Sequence, residues 1–241
     1  MTESTYQSFR RIDLPFDGHT LTVVFPHKAE KQRRWLWRAE FLGAFDTVDV
    51  AMLERGWHLI YYSISDMYGC PEAVRLMDGC YRHVVQEYSL HSRTVLLGFS
   101  RGGLYSVSFA AAYPERTAAL YLDAPVLDIF SWPCKAGSPY EQERRQCLSW
   151  YRLAETDTDT PDNPLHKLDA LAESRIPLAL VVGLADRDVS YADNGGQLAA
   201  LYARAGAPLY LHGKPGCAHH PHSLTDPTPI ADFLDWETAE N

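Results

Sequence analysis

Short apolar runs alternate with amphipathic stretches along most of the chain after Pro26. The apolar runs are continuous or β-branched and are predicted strands, namely WHLIYYSIS, TVLLGFS, TAALYLDAP, IPLALVVGLAD and APLYLHG. Helical patterns lie between them, at residues 38–55, 71–88, 102–113, 194–205 and 229–236. Continuously apolar strands joined by helices are typical of a mainly parallel sheet with helices on both faces. The pattern therefore predicts an α/β fold.

Two segments depart from this alternation. The opening runs SFRRIDLPF and HTLTVVFP meet at Asp17-Gly18 and predict a β-hairpin. Residues 126–172 are rich in Trp, Tyr, Pro and Asp and contain no strand-like run. An excursion of this length between two strands predicts a small cap or lid, and a surface insertion without function is the alternative. No repeat or flexible linker divides the sequence, so we expect a single domain over residues 1–241.

Composition limits the classes of partner. With 46% hydrophobic and 22% charged residues, the chain can bury a large core. The net charge of −9 argues against nucleic-acid binding, and KAEKQRR is interpreted as a solvated loop. No run approaches the ~18 apolar residues of a membrane span, and the N-terminus lacks the apolar segment of a secretion signal. The five cysteines, without a CxxC pair, indicate reduced thiols. We expect a cytoplasmic protein without a nucleic-acid or membrane partner.

The strongest chemical motif follows the predicted strand TVLLG. Gly98-Phe99-Ser100-Arg101-Gly102 is a G-x-S-x-G sequence between a strand and a helix. Such a turn lifts the serine hydroxyl above the sheet and directs the next backbone N–H at an oxyanion. Ser100 is therefore a predicted nucleophile and Arg101 a predicted oxyanion donor, with an inert serine in a glycine-rich turn as the alternative. The Arg101 side chain is expected to pair with a nearby acid or to bind a substrate carboxylate.

A serine nucleophile needs a base, and the base needs an acid that orients it. In this kind of fold the acid and the base follow later strands, in that order. Asp186 follows the strand LALVVG and is the predicted acid, whereas Asp188 competes and could instead cap the next helix. His219, His220 and His222 follow one more strand. The order of serine, acid and histidine is thus complete.

The histidine loop has other interpretations. A His-rich loop can bind a metal, but these three histidines are too close in sequence to supply a site without further ligands. A solvated surface loop is a second alternative. Pro221 restricts His220 toward extended backbone and is expected to turn its side chain away from the serine. No metal and no organic cofactor is expected, because a triad with backbone N–H donors suffices for acyl transfer.

The three motifs also resemble a known family. GFSRGG, the G-x-x-D of GLAD and GCAHHPH together resemble the α/β-hydrolase superfamily across nearly the whole chain. More narrowly, WLWRAEFLGAF, SDMYGCP, SRGG and HHPHSL are similar to bacterial α/β-hydrolases among the carbohydrate-associated esterases. This resemblance implies a serine hydrolase that cleaves esters through an acyl-enzyme. It also selects His219, the first histidine after Gly216-Cys217-Ala218, as the base.

The sequence departs from the superfamily pattern at two places. Phe25-Pro26 stands where His-Gly usually follows the third strand, and Ala218 stands where a glycine usually precedes the histidine. The second oxyanion N–H should come from the loop after Pro26, and we assign it to Trp37.

Candidate substrate-binding residues complete the prediction. Trp35 and Trp132 could form a stacking surface for a sugar ring, with a core position as the alternative. Asp66 and Tyr68 follow a predicted strand at the edge where α/β sheets bind ligands, although turn formation also explains them. His220 is the remaining candidate for substrate binding. The expected substrate is a small-molecule or saccharide carboxylic ester. A peptidase, a thioesterase and a non-catalytic ligand-binding homologue are the competing interpretations.

Overall fold

A nine-stranded sheet runs through the computed structural model, which describes residues 1–239. Its order is β1-β2-β3-β5-β4-β6-β7-β8-β9. The strands β1, β2, β3 and β5 pair antiparallel, and all remaining pairs from β5 to β9 are parallel. The strands are β1 Thr2–Tyr6, β2 Phe9–Phe16, β3 His19–Phe25, β4 Trp35–Arg38, β5 His58–Tyr62, β6 Thr94–Phe99, β7 Thr117–Asp123, β8 Leu178–Gly183 and β9 Leu209–Lys214.

Seven α-helices are present in the described part of the chain. They are α1 Thr47–Glu54, α2 Pro71–Glu87, α3 Gly102–Ala112, α4 Glu141–Tyr151, α5 Leu168–Glu173, α6 Gly195–Ala205 and α7 Thr228–Glu237. Two short 3-10 helices, Pro114–Arg116 and Pro164–Lys167, accompany them. No helix within residues 1–239 is long and apolar enough to cross a membrane.

The sheet is covered by an apolar core on each face. Along β6, Leu96 faces the cluster that contains residues of α2, α3 and α6, whereas Val95 and Leu97 face the cluster that contains residues of α1 and α7. Because side chains alternate along a strand, a strand covered on both faces must be apolar throughout. The buried strands β6, β7 and β8 are apolar along most of their length, and the charged exception is Asp123 at the end of β7. The structure is an α/β-hydrolase fold, as the sequence predicted.

In the first hundred residues, the predicted β-hairpin is confirmed and the first predicted helix is partly wrong. The predicted hairpin is present, since β2 and β3 pair antiparallel around Asp17-Gly18. The helix predicted over residues 38–55 is wrong in its first half, because α1 begins only at Thr47. The strand β4 was missed. Its four residues are buried and pair with β5, and Leu36 to Arg38 also pair with β6, so contacts distant in sequence stabilise a segment too short to show a local pattern.

The segment 126–172 is mostly helical at its centre and end. In α4, Cys147, Leu148 and Tyr151 form the buried side, and the Tyr151 hydroxyl donates to the backbone oxygen of Tyr68 at 2.9 Å. The end of the segment, α5, packs against α6 as part of the helical layer. The part before α4 contributes Trp132 and Tyr140 to the cavity described below.

Candidate active site

The turn that carries Ser100 is strained and tightly enclosed. Ser100 lies between β6 and α3 with φ of +49°, in the left-handed region that non-glycine residues seldom adopt. A Cβ on Gly98 would lie 2.8 Å from the Gly102 oxygen, and one on Gly103 would lie 2.7 Å from Pro125 Cβ. The nearest atom to a Cβ on Gly102 is 3.4 Å away. The turn therefore depends on Gly98 and Gly103 more than on the Gly102 of the motif.

A chain of two hydrogen bonds joins Ser100 to an acid. Ser100 Oγ lies 2.9 Å from His219 Nε2, and His219 Nδ1 lies 2.7 Å from Asp186 Oδ2. A carboxylate only accepts hydrogen bonds, so Nδ1 carries the proton and Nε2 presents its lone pair to the serine hydroxyl. The structure thus brings the three residues singled out in the sequence into one connected arrangement.

The acid position belongs to Asp186 and not to Asp188. Asp186 Oδ1 accepts the backbone N–H groups of Asp188 at 2.9 Å and Val189 at 3.0 Å, which leaves Oδ2 for His219. Burial alone would raise the pKa of Asp186, but the hydrogen bonds from His219 and from these N–H groups hold it below its usual value. The Asp188 side chain is exposed. The competing assignment is therefore excluded by the geometry.

The other two histidines of the loop have different surroundings. His220 is exposed and stacks on Phe45, with ring centroids 5.6 Å apart. Desolvation and the neighbouring His222 and His219 lower the pKa of His220. His222 is buried, and its Nδ1 lies 2.9 Å from Asp123 Oδ1. Its Nε2 is buried without a hydrogen-bond partner among the described residues. Only His219 is hydrogen-bonded to the serine.

The turn also presents one free backbone N–H beside Ser100. The Arg101 N–H lies directly before α3 and donates to no acceptor within the described residues. The positive end of a helix dipole and a free N–H both favour negative charge at this point. The position of Arg101 agrees with the sequence prediction.

The assignment of Trp37 as second oxyanion donor is wrong. Trp37 lies inside β4, where its backbone pairs with Ile60 on one side and Leu96 on the other. Its side chain is 1% exposed and packs against Phe109. This region was expected to be a loop because β4 has no local signal in the sequence. A residue in the middle of a sheet cannot present its N–H to a ligand above the strand ends.

Phe41 is the better candidate for the second donor, and the sequence analysis missed it. It lies in the loop after β4, has φ of +56°, and lines the same cavity as Ser100. Its backbone N–H has no acceptor among the described residues. The signal that could have identified it is the carboxyl end of β4, the strand next to β6 in the sheet.

Two further sequence candidates are placed outside the cavity. Asp66 Oδ1 accepts a hydrogen bond from Arg101 Nη1 at 2.7 Å, and Arg101 Nε lies 3.3 Å from the buried Glu40. Tyr68 is buried, and its hydroxyl donates to Gln146 at 3.0 Å. The prediction that Asp66 and Tyr68 bind substrate is therefore corrected, because ion pairing and core packing occupy them. The Arg101 side chain pairs with acids, one of its two predicted uses.

The cavity above Ser100 is walled mainly by aromatic side chains. It has a volume of about 460 Å³. Of the residues predicted to bind substrate, Trp132 and His220 line it, and the aromatic lining residues that the sequence had not indicated are Phe41, Phe45, Phe99 and Tyr140. Trp35 is fully buried at the other end of β4, and its Nε1 donates to the backbone oxygen of His91. Trp35 is thus a core residue, and its assignment to substrate binding is wrong.

Sequence comparison places this site within a family. The family model described as the prolyl oligopeptidase family, Peptidase_S9, matches residues 63–238. The chain belongs to the prolyl oligopeptidase family. Ser100, Asp186 and His219 all lie within the part of the chain that matches this family. No curated protein is significantly similar to the chain in sequence.

Solved structures with this fold include several kinds of hydrolase. S-formylglutathione hydrolase from Staphylococcus aureus superposes with a TM-score of 0.69 at 14% identity, covering 98% of this chain and 100% of that one. A puromycin-hydrolyzing peptidase from Mycobacterium tuberculosis superposes with a TM-score of 0.69 at 16% identity over 95% of this chain. A zinc-bound, cold-adapted esterase from an Arctic intertidal metagenomic library superposes with a TM-score of 0.61 at 14% identity. The match covers 99% of this chain and 100% of the esterase. This member of the prolyl oligopeptidase family spans 39% of the length of the peptidase.

Proposed function

We propose that this protein is a serine hydrolase that cleaves small or carbohydrate-linked carboxylic esters through an acyl-enzyme. The observation that carries the proposal is the hydrogen-bond chain from Ser100 through His219 to Asp186, with distances of 2.9 and 2.7 Å. In this proposal Ser100 is the nucleophile, His219 is the general base and acid, and Asp186 orients the imidazole.

The geometry supports a two-step reaction. Ser100 Oγ attacks the ester carbonyl while its proton passes to His219 Nε2, and the tetrahedral oxyanion accepts hydrogen bonds from the Arg101 and Phe41 N–H groups. Collapse of this intermediate breaks the bond to the alkoxy oxygen, which takes the proton from His219. Water, deprotonated by His219, then attacks the acyl-enzyme, the bond between the acyl carbon and Ser100 Oγ breaks, and Ser100 takes the proton back from His219 as the acid leaves. Each step uses groups of this chain, and none requires a metal or a cofactor.

The cavity supports a compact substrate. Its volume of about 460 Å³ lies within the range of small-molecule sites, and its walls are largely aromatic. Trp132 and Tyr140 contribute ring faces with centroids 5.8 Å apart. Flat aromatic faces suit the apolar side of a sugar ring or an aryl group. Among the lining residues, Asp188 is the only one with an acidic side chain.

Peptide cleavage is the second candidate function. Membership of the prolyl oligopeptidase family supports it, as does the similarity in fold to the puromycin-hydrolyzing peptidase. Both reactions use the same nucleophile, base and oxyanion donors, so the site by itself supports either one. A thioester substrate and a ligand-binding role without turnover are further alternatives.

A substrate panel combined with covalent labelling tests these functions. The panel contains p-nitrophenyl acetate, acetylated and methyl-esterified sugars, acyl-thioesters and aminoacyl p-nitroanilides, and a fluorophosphonate probe reports the reactive serine. We expect turnover of the esters and labelling of Ser100. Ser4→Ala, a change at an exposed serine in β1, is the matched control for Ser100→Ala. Higher kcat/KM for the anilides than for every ester would select the peptidase, and neither turnover nor labelling would select the binding protein.

We also propose a cytoplasmic location. This proposal rests on the sequence, whose five cysteines are odd in number and show no CxxC pair. Cell fractionation of the producing organism, with detection by antibody, tests it. Recovery of the protein in the secreted or membrane fraction would contradict it.

A further inference from the structure

Two histidines in the cavity share the same orientation toward a carboxylate. His219 directs Nδ1 at Asp186 over 2.7 Å, and His222 directs Nδ1 at Asp123 over 2.9 Å. Because a carboxylate accepts the Nδ1 proton, each neutral ring presents the lone pair of its Nε2. One of these lone pairs faces Ser100 Oγ. The other, on His222, is buried and has no partner among residues 1–239.

The third histidine of the loop lies within reach of both. One ring nitrogen from each of His219, His220 and His222 can be chosen so that all three atoms lie within 4.8 Å of one another. His220 is exposed, and its side chain makes no hydrogen bond to the described residues, so its ring can turn. Nitrogen ligands about 2.0–2.1 Å from a tetrahedral zinc ion lie roughly 3.4 Å apart. The three nitrogens must therefore come closer together by about 1.4 Å or less to reach that spacing.

The surroundings match those of a zinc-binding histidine cluster. Histidines that bind zinc commonly donate their second ring N–H to a carboxylate, which sets the tautomer and increases the basicity of the ligating nitrogen. His219 and His222 already have this arrangement, and the two carboxylates would offset the charge of a divalent ion. Lys214 lies 3.8 Å from Asp123 and partly opposes this attraction. From the sequence, the three histidines were expected to need further ligands, whereas the fold adds two carboxylates that hydrogen-bond to Nδ1 of His219 and His222.

We propose that His219, His220 and His222 bind a divalent ion of the zinc class, and that the bound ion inhibits hydrolysis. An ion bound at His219 Nε2 would occupy the lone pair that accepts the Ser100 proton. Ion binding and deprotonation of Ser100 therefore exclude each other. The binding step stands on the three histidines alone, whereas the inhibition step rests on the proposed function.

A zinc titration without any substrate tests the binding step. The full-length protein is treated with a chelator, dialysed, and titrated with Zn²⁺ against a chromophoric zinc indicator. We expect one high-affinity ion per chain in the wild type and in His166→Ala, which changes an exposed histidine away from the cavity. His220→Ala, at an exposed position where folding should be preserved, should weaken binding by at least about tenfold. Absence of binding, or equal affinity in His220→Ala, would overturn the site.

Fluorophosphonate labelling of Ser100 with and without Zn²⁺ tests the inhibition step. Labelling of the wild type should slow as the zinc site fills, should recover after a chelator is added, and should need more zinc in His220→Ala. Zinc binding with an unchanged labelling rate would overturn the inhibition. If neither labelling nor turnover occurs without zinc, the proposed function fails, while the binding result still decides the metal site.

Discussion

His222 donates a hydrogen bond from Nδ1 to Asp123 Oδ1 over 2.9 Å, and both side chains are buried. This pair lies beside the one formed by His219 and Asp186, with the rings of the two histidines 4.9 Å apart. Only the His219 ring is hydrogen-bonded to Ser100. The histidine loop therefore contains one histidine–carboxylate pair connected to Ser100 and a second, buried pair beside it, and substitutions should separate their roles.

Ser100→Ala should abolish hydrolysis and keep the fold. The alanine removes the hydroxyl but leaves Gly98 and Gly103, on which the turn depends. We expect kcat to fall on the order of 10⁴- to 10⁶-fold, with an unchanged circular dichroism spectrum. Steady-state kinetics beside Ser4→Ala checks this. Turnover near that of the wild type would remove Ser100 from the mechanism.

His219→Ala should cost about as much activity as Ser100→Ala, because both remove parts of a single proton-transfer unit. His220→Ala should cost clearly less, since His220 is exposed and has no hydrogen bond to the serine. The kcat of the two variants, measured on one ester, separates them. An inactive His220→Ala with an active His219→Ala would show that the base had been assigned to the wrong histidine.

His222→Ala should reduce stability. It leaves the fully buried Asp123 without its histidine partner, although the Ser223 N–H still donates to Oδ2 at 2.6 Å. We expect the free energy of unfolding to fall by about 2–3 kcal/mol, measured by urea denaturation. His222→Asn keeps an N–H donor and should recover part of the loss. An unfolding free energy equal to that of the wild type in His222→Ala would show that the His222–Asp123 pair does not stabilise the fold.

Asp186 should make stability depend on pH in the acid range. Its pKa in the folded protein lies below the usual 3.8, so its stabilising effect is complete above that pH and is lost as the pH falls through the lowered pKa. The difference in unfolding free energy between the wild type and Asp186→Asn should be largest near neutral pH and shrink below pH 3.8. Urea denaturation across a pH series measures it, and a difference that grows in acid would contradict the sign.

Trp132→Ala should affect binding more than chemistry. Trp132 lines the cavity but forms no part of the hydrogen-bond chain at Ser100. We expect KM for an acetylated sugar to rise several-fold, as about 1 kcal/mol of stacking is lost, with kcat nearly unchanged. Trp150→Ala, at an exposed tryptophan that does not line this cavity, is the matched control. Equal KM values for both variants would argue against stacking on Trp132.

Much of the fold, and the positions of Ser100 and Asp186 at the ends of their strands, could be predicted because their signals are local. The strands β5 to β9 and the helices α2, α3, α6 and α7 each have a hydrophobic pattern that fits within one element. The short strand β4 has no such pattern. Glycines around Ser100 predict a strained turn, and Asp186 and His219 follow their strands in the required order. The strand and turn signals need only the neighbouring residues, whereas the choice of His219 among the three histidines rested on the resemblance to the α/β-hydrolase superfamily.

The errors arose where contacts distant in sequence decide the structure. The segment Trp35–Arg38 became a strand because β5 and β6 lie on either side of it, and this pairing buried Trp35 and Trp37. Asp66 lies after β5 as expected, but its carboxylate forms an ion pair with Arg101 in the turn after β6 and is therefore not placed in the cavity.

The sequence by itself determined the order in which Ser100, Asp186 and His219 follow their strands, since a strand, a turn and its glycines are specified by adjacent residues. Only the tertiary structure decided which aromatic side chains reach the cavity and which carboxylate each histidine meets. Asp123 and His222 are 99 residues apart, and nothing near either one in the chain indicates the other. Burial and pairing of this kind depend on how the strand ends assemble, because a side chain acquires its partner only when the sheet brings the two loops together.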